Sequence, residues 1–497
     1  MPKKVKAFTG PHRETRSGAH PTYSRAELLP AMMSAAGHNG PITRSRVLRA
    51  LSQPSIHSLP LEVLSEIFVL VLPTDRELYS MPQFYDSERR KLINTTPAFC
   101  AVCSSWRSLA LAAPRLWNRI LIHVPRGMNK AQAQRKAADL VQWISRSHSV
   151  PLTLHISGDF AKPRNGKGPE GPIISVIKDH AARWKSLYFR AFQPSLSLLH
   201  FDGWHSLRRL YYPYFDPASC ANQTVPWAHI THLQIRKYIA CQDSATIFIK
   251  CPKLVYLSIL VDPEAIGQST VPVILEDLVT FYLKTSYHAA DLAADLQTIL
   301  HQLSLPSLRE ISINGISSGD IEPLLNLFTR SSCALDRLEI CGTFLTSREY
   351  LNVLAHSSCN SLTSLSICSL SLGCAPVDPE VLRRLTLHQN DTVCSRLSSL
   401  TIGYCIPTSL LSALLNMAES RIGCAAGQVP EEPALQYLRL HVKYTKNVAE
   451  LDKIGRRSKM EYSHNKFISG DGGHCFSVWF QRQGFGAPPN FDELFWI

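Results

Sequence analysis

The sequence predicts an α/β chain: a short helical module, then an array of repeats whose strands align into a parallel sheet, all preceded by a disordered basic arm. Three observations predict it. Two runs between Leu59 and Ile120 carry apolar residues at helix spacing. From Trp184 onward one pattern, apolar-x-x-apolar-x-apolar, returns ten times. Residues 1–50 mix Gly, Pro, Ser, His and Arg with little periodicity.

Composition bounds the classes. A chain of 497 residues, 45% hydrophobic, suffices for two or three domains, or for one domain plus a repeat array. Charged residues make up 18%, which argues against a largely disordered chain. No apolar run approaches the roughly 18 residues that span a bilayer. The run ending Phe68-Val-Leu-Val-Leu72 stops at Pro73. Lys3, Lys4 and Lys6 have no apolar stretch behind them, so no secretory signal is read. A soluble protein, cytoplasmic and/or nuclear, is expected. The 14 cysteines are scattered, several of them inside apolar segments such as those of Cys341 and Cys368. They read as reduced core thiols rather than a disulfide framework. Net charge is +13, and +7 of it comes from residues 1–50. That arm is either solvated or a nuclear-import or nucleic-acid patch. Residues 22–35 hold at most a transient helix.

The module, residues 51–122, begins at Ser58-Leu59-Pro60-Leu61-Glu62. Ser58 can cap, Pro60 suits a first turn and Glu62 suits the positive end of a helix dipole. Val63, Leu64, Ile67, Phe68 and Val71 then make one apolar face, and Pro73 ends the helix. Residues 73–97 read as an inserted loop. A second helix is predicted over Phe99–Ala113, with Val102, Trp106, Leu109 and Ala113 on one side, stopped by Pro114. Leu116 and Trp117 supply a last anchor.

Residues 123–183 read as a connector, with a helix over 128–146, a strand over Pro151–Ile156 and a loop from Gly158 to Pro172. The array occupies 184–445. Its middle apolar positions are Leu187, Leu210, Leu233, Leu257, Phe281, Ile311, Leu338, Leu365, Leu400 and Leu438, spaced 23, 23, 24, 24, 30, 27, 27, 35 and 38 residues apart. The last two apolar positions of each copy sit two apart and so face one side of a strand. Three inward residues make no core alone, but stacked copies bury a continuous ridge. An ordinary α/β domain with several parallel strands is the alternative. Residues 446–497 are an opaque tail whose aromatic end, Phe491–Ile497, is expected to pack on the last repeat.

The repeats resemble the leucine-rich-repeat family, irregularly: the Asn or Cys that family places after the strand is matched at Cys405, whereas other copies have Phe192, Ile316 or Leu370. The order Leu59-Pro60, Glu62, Ile67-Phe68, then Val102-Cys103-x-x-Trp106-x-x-Leu109-Ala110 and Leu116-Trp117 resembles an F-box of fungal type with a lengthened spacer. The resemblance implies a substrate-recruiting adaptor of a cullin-RING (SCF-type) ubiquitin ligase. Leu59, Pro60, Val63, Leu64, Ile67, Phe68, Val102, Cys103, Trp106 and Leu109 would bind a Skp-type subunit or support that contact, with Val102, Cys103, Trp106 and Leu109 also forming the module's core. The repeats would hold an unknown protein substrate. The alternatives are a repeat scaffold capped by these helices, a nucleic-acid-associated protein using the basic arm, and, more weakly, an enzyme.

No catalytic constellation is found, so no enzyme, cofactor or metal is expected. Cys100-Ala-Val-Cys103 has ligand spacing but no second pair. Asn165-Gly-Lys-Gly168 lacks the first glycine and the Ser/Thr of a phosphate loop. Trp204, Tyr211, Tyr212, Tyr214 and Phe215 form an aromatic cluster that reads as an anchor for a partner, or, for Tyr212, as core.

Overall fold

The computed structural model describes residues 56, 59–72, 95–125, 127–159, 171–192, 203–212, 225–262, 272–285, 293–342, 345–369, 377–387, 392–406, 408–422, 435–442, 460–468 and 474–482. The basic arm, Ser58, the spacer 73–94, the segment around Asn165–Gly168, Tyr214, Phe215 and the aromatic end 491–497 lie outside them. The chain divides into two compact units, Met1–Leu64 and Ser65–Ile497.

In the first unit the described backbone turns at Leu59, whose N–H donates to the Ile56 carbonyl at 3.4 Å, and enters helix α1 (Leu61–Val71). Pro60 sits just before the helix rather than in its first turn, and its carbonyl accepts the first helical bond, from Leu64 at 3.0 Å. Val63 is exposed and Leu64 buried.

The second unit is α/β. Helix α1 ends two residues before Pro73. Helices α2 (Thr95–Val102) and α3 (Ser104–Ala112) follow. Two expectations are corrected here. The loop expected over 73–97 gives way to helix at Thr95, because Pro97 lies in the first turn of α2, where a missing N–H costs nothing. The single helix expected over Phe99–Ala113 is broken at Cys103. Its backbone is extended (φ −157°, ψ 173°), and its sulfur accepts a hydrogen bond from the Trp106 N–H at 3.4 Å. Ser104 and Ser105 come next, residues that compete with helix interiors and favour helix starts.

The main sheet is built from β1 (Arg119–Val124), β2 (Leu152–Asp159), β3 (Trp184–Phe192), β4 (Arg209–Tyr212), β5 (His232–Ala240) and β6 (Tyr256–Asp262). A two-residue strand β7 (Val273–Ile274) is followed by β8 (Thr280–Thr285), and another, β9 (Leu303–Ser304), by β10 (Glu310–Ile316). Then come β11 (Arg337–Gly342), β12 (Ser364–Ser369), β13 (Ser399–Ile406), β14 (Tyr437–Val442), β15 (Met460–Ile468) and β16 (His474–Arg482). Among the described residues these make a 14-stranded sheet, while β7 and β9 pair separately. From β1 to β14 every neighbour is parallel and strand order follows chain order.

The ten middle residues of the sequence pattern fall in register across the sheet, from Leu187↔Leu210 to Leu400↔Leu438. The ladder starts two strands before the pattern does, with Ile120↔Leu154 and Leu154↔Leu187, so the connector belongs to the sheet. The loop expected from Gly158 is strand to Asp159 and helix from Gly171. The tail also carries structure: β15 and β16 form an antiparallel hairpin, and β16 pairs antiparallel with β14.

Helices α4 (Lys130–Arg146), α5 (Gly171–Asp179), α6 (Cys241–Lys250), α7 (Ala293–Gln302), α8 (Ile321–Ser331), α9 (Ser347–Leu354), α10 (Pro379–Leu385) and α11 (Leu411–Ile422) occur between strands. α4 shows why such segments are helical. Asn129 and Gln132 form a capping box, and Ala133, Ala137, Leu140 and Ile144 bury one face at helix spacing. The core lies between the leucine face of the sheet and these helices. Leu338, Ile340, Leu324, Leu327 and Phe328, each 0% exposed, belong to it. Burying each such side chain contributes roughly 1.5–3 kcal/mol.

Candidate functional site

Two places carry chemistry: the helical module and the polar face of the sheet. In the module, Phe68 of α1 is buried and stacks on Phe99 of α2, centroids 4.3 Å apart at 9°. Trp106 of α3 lies 4.7 Å from Phe68 and 6.4 Å from Phe99. The three rings clamp α1 to both short helices. The Trp117 indole donates to the Ala110 carbonyl at 2.7 Å and the Thr96 hydroxyl to the Leu116 carbonyl at 3.1 Å, which ties the end of the module to α3 and α2. Trp117 also packs edge-on to Trp143 of α4 at 4.8 Å, under the Arg146 guanidinium. The Arg115–Glu66 ion pair is exposed on both sides and contributes little.

Of the residues predicted to meet a partner, Pro60, Val63 and Val102 are exposed, Leu59, Ile67, Cys103, Trp106 and Leu109 are half-buried, and Leu64 and Phe68 are buried. Leu59, Pro60, Val63 and Leu64 belong to the first unit and the others to the second. Val102 is not the core residue its spacing suggested. The break at Cys103 leaves it 59% exposed at the end of α2. Cys100 and Cys103, expected as core thiols, are half-buried. The sequence reading missed Leu70 (81% exposed), Val71 and Leu111 as surface residues, and Phe99 as a core ring. Leu70 is the residue the 63/64/67/68/71 periodicity leaves out, a signal that was present.

The second place follows from strand alternation. With Leu154, Leu187, Leu210, Leu233, Leu257 and Phe281 turned to the core, the residues between them share the opposite face. That face carries a row of rings. His155 stacks on Tyr188 at 4.2 Å, Tyr188 on Tyr211 at 4.2 Å, and Tyr211, Tyr256 and Tyr282 continue at 6.3 and 5.6 Å. His232 stacks on Tyr256 at 6.0 Å. Burial, and then the Arg209 charge, push His232 down to about 4, so it is neutral near pH 7. Of the expected aromatic cluster, Tyr211 joins this row, whereas Trp204 and Tyr212 are buried in the leucine core. Farther along, Glu339 is 2% exposed, and burial pushes its carboxyl up to about 7 against the opposing pull of Arg337 and Ser312. Cys341 and Cys368 are buried as expected but pair with each other on this polar face, outside the leucine core.

Among the described residues no three His, Cys, Asp or Glu side chains gather as a metal site, and no helix is long and apolar enough to cross a membrane. Searches of known proteins return no family model that matches the chain and no similar curated protein.

Proposed function

We propose that the chain is a substrate-recruiting adaptor of a cullin-RING ubiquitin ligase, with the helical module as an F-box that receives a Skp-type subunit and the sheet as an irregular leucine-rich-repeat solenoid that receives a protein substrate. One observation carries the first half. Seven of the ten exposed large apolar side chains among the described residues fall in 56–111: Ile56, Leu61, Val63, Leu70, Val71, Val102 and Leu111. Apolar surface concentrated on so short a stretch is what a docking partner covers. The aromatic clamp of Phe68, Phe99 and Trp106 holds the helices without using those side chains. Parallel strands in chain order with leucines in register support the repeat reading.

The contact of Trp117 with Trp143 favours a second reading, in which the same helices only cap the first strands of a scaffold. Capture of a Skp-type subunit by the full chain separates the two. The full chain is expected to retain the subunit. The pair Leu59→Ala with Pro60→Ala, and separately Val71→Asp, should each reduce capture at least tenfold at an unchanged melting temperature. A folded full chain that captures nothing overturns the adaptor reading and leaves the cap.

A further inference from the structure

An open cavity of about 60 Å³ lies on the polar face, lined by residues of β5, β6, β8 and β10. Gln234 and Arg236 come from β5, Ser258 from β6, Tyr282 and Lys284 from β8, and Ser312 and Asn314 from β10. The register explains the opening. Between β5 and β6 the pairing jumps from Gln234↔Ser258 to Tyr238↔Leu260, and Arg236 lies in the shifted stretch. A second irregularity sits at Asn314/Ile316 on β10, where Gly315 adopts φ +94° against Thr285. Such bulges re-aim side chains and part a ladder. Here they bracket the cavity on two sides.

The lining has one sign of charge. Arg236 and Lys284 are cationic, and none of the lining residues is acidic. Both are only half-buried, so they can serve a ligand from the surface. The Ser258 hydroxyl and the Asn314 amide add neutral donors, whereas the Ser312 hydroxyl is bonded to the Glu339 carboxyl and the Tyr282 hydroxyl to the Glu310 carboxyl. Gln234 is 8% exposed, and its side-chain carbonyl oxygen finds no hydrogen-bond donor among the described residues. Buried acceptors are ordinarily satisfied, so this one points to a donor that a ligand brings.

We infer that this cavity binds the oxyanion of an acidic side chain, a phosphate or a carboxylate, on a polypeptide, with Arg236 and Lys284 on the anion and Gln234 accepting an N–H from the same ligand. A guanidinium and an ammonium around hydroxyl and amide donors match an oxyanion in charge and in hydrogen bonding. The tyrosine row ends at Tyr282 on the rim; His155 and Tyr188 are buried, so the chain bearing the anion lies along the half-buried rings of Tyr211, Tyr256 and Tyr282. The inference stands apart from the ligase reading, since it needs no Skp-type partner.

The test is thermal melting and calorimetric titration of the full chain at constant ionic strength. The probes are sodium phosphate, a capped Gly-phosphoserine-Gly peptide and its unphosphorylated twin, with sodium chloride as the reference salt. The phosphopeptide is expected to bind at least tenfold more tightly than inorganic phosphate, and its twin not to bind. Arg236→Gln with Lys284→Gln should lose that binding while melting unchanged in chloride. Asn314→Asp, which adds a negative charge to the lining, is a second variant expected to lose it. Inorganic phosphate binding as tightly as the phosphopeptide overturns the polypeptide source. No anion binding by the wild type, or equal binding by the doubly substituted chain, overturns the site.

Discussion

Arg330 donates through Nη2 to the carbonyl oxygen of Leu300 at 2.6 Å, reaching from the last turn of α8 to the last turn of α7. The same relation recurs twice. Arg421 of α11 donates through Nε to the Leu385 carbonyl that ends α10, at 2.5 Å. Arg183, just after α5, donates to the Ile144 carbonyl in the last turn of α4 at 3.3 Å. The last carbonyls of a helix lack partners and carry the negative end of its dipole, so a cation from the next layer suits them. The arginines thus lock α8 to α7, α11 to α10, and the turn after α5 to α4.

Burial ranks these locks. Arg421 is 1% exposed and also donates to Val393 at 3.2 Å, whereas Arg330 is exposed. Arg421→Leu should therefore destabilise the chain by about 3–5 kcal/mol, because it leaves buried carbonyls without a donor. Arg330→Leu should cost about 1 kcal/mol. Urea unfolding monitored by circular dichroism measures both. Equal midpoints for the two variants would contradict the ranking.

The aromatic clamp and the exposed apolar residues of α1 should separate cleanly. Phe68→Ala removes a ring buried between Phe99 and Trp106 and is expected to cost about 3–5 kcal/mol. Leu70→Ala, two residues on, should change stability by less than about 0.5 kcal/mol. Thermal melting of the two full-length variants side by side reads the difference.

Glu339 gives the sheet a pH dependence. Its carboxyl is raised from 4.5 to about 7 in the folded chain, chiefly by burial. The folded state then holds the proton more tightly than the unfolded state. The stability tied to that proton is complete below pH 4.5 and is lost as pH rises through 7. Glu339→Gln should flatten this slope and stabilise the chain at pH 8 by on the order of 1–3 kcal/mol. Asp320, raised to about 6 by burial, retains a weaker slope of the same sign in the variant. Denaturant midpoints at pH 5 and pH 8 check the sign. A variant less stable than wild type at pH 8 would refute it.

The strands were legible because their inward positions repeat every second residue, and leucine or isoleucine holds nearly all of them. β1 was not, since Arg119–Val124 follows the Leu116-Trp117 anchor directly and shows no boundary. The hairpin β15–β16 was hidden by a polar alternation, Met-Glu-Tyr-Ser-His-Asn, with few leucines to mark a face. The break at Cys103 was invisible for a different reason: the spacing of Val102, Trp106 and Leu109 continues through it. In the module, the identity of the apolar residues could be read but not which of them end up outside. Val102 and Phe99 are both apolar and three apart, and only packing against Phe68 decides that Phe99 is covered. The cavity was not legible at all. Gln234, Arg236, Lys284 and Asn314 are brought together by strand register, across as many as 80 residues of chain.

β4 spans only Arg209–Tyr212, and three register pairs join it to β3. Among the described residues no other neighbouring strands of the main sheet share so few register positions, so that line is a seam in the sheet. The stack of Tyr188 on Tyr211 crosses the same line. The two tyrosines therefore act as a rivet: they carry in side chains the cohesion that the short strand cannot supply in backbone, and the ring row stays continuous from one side of the seam to the other.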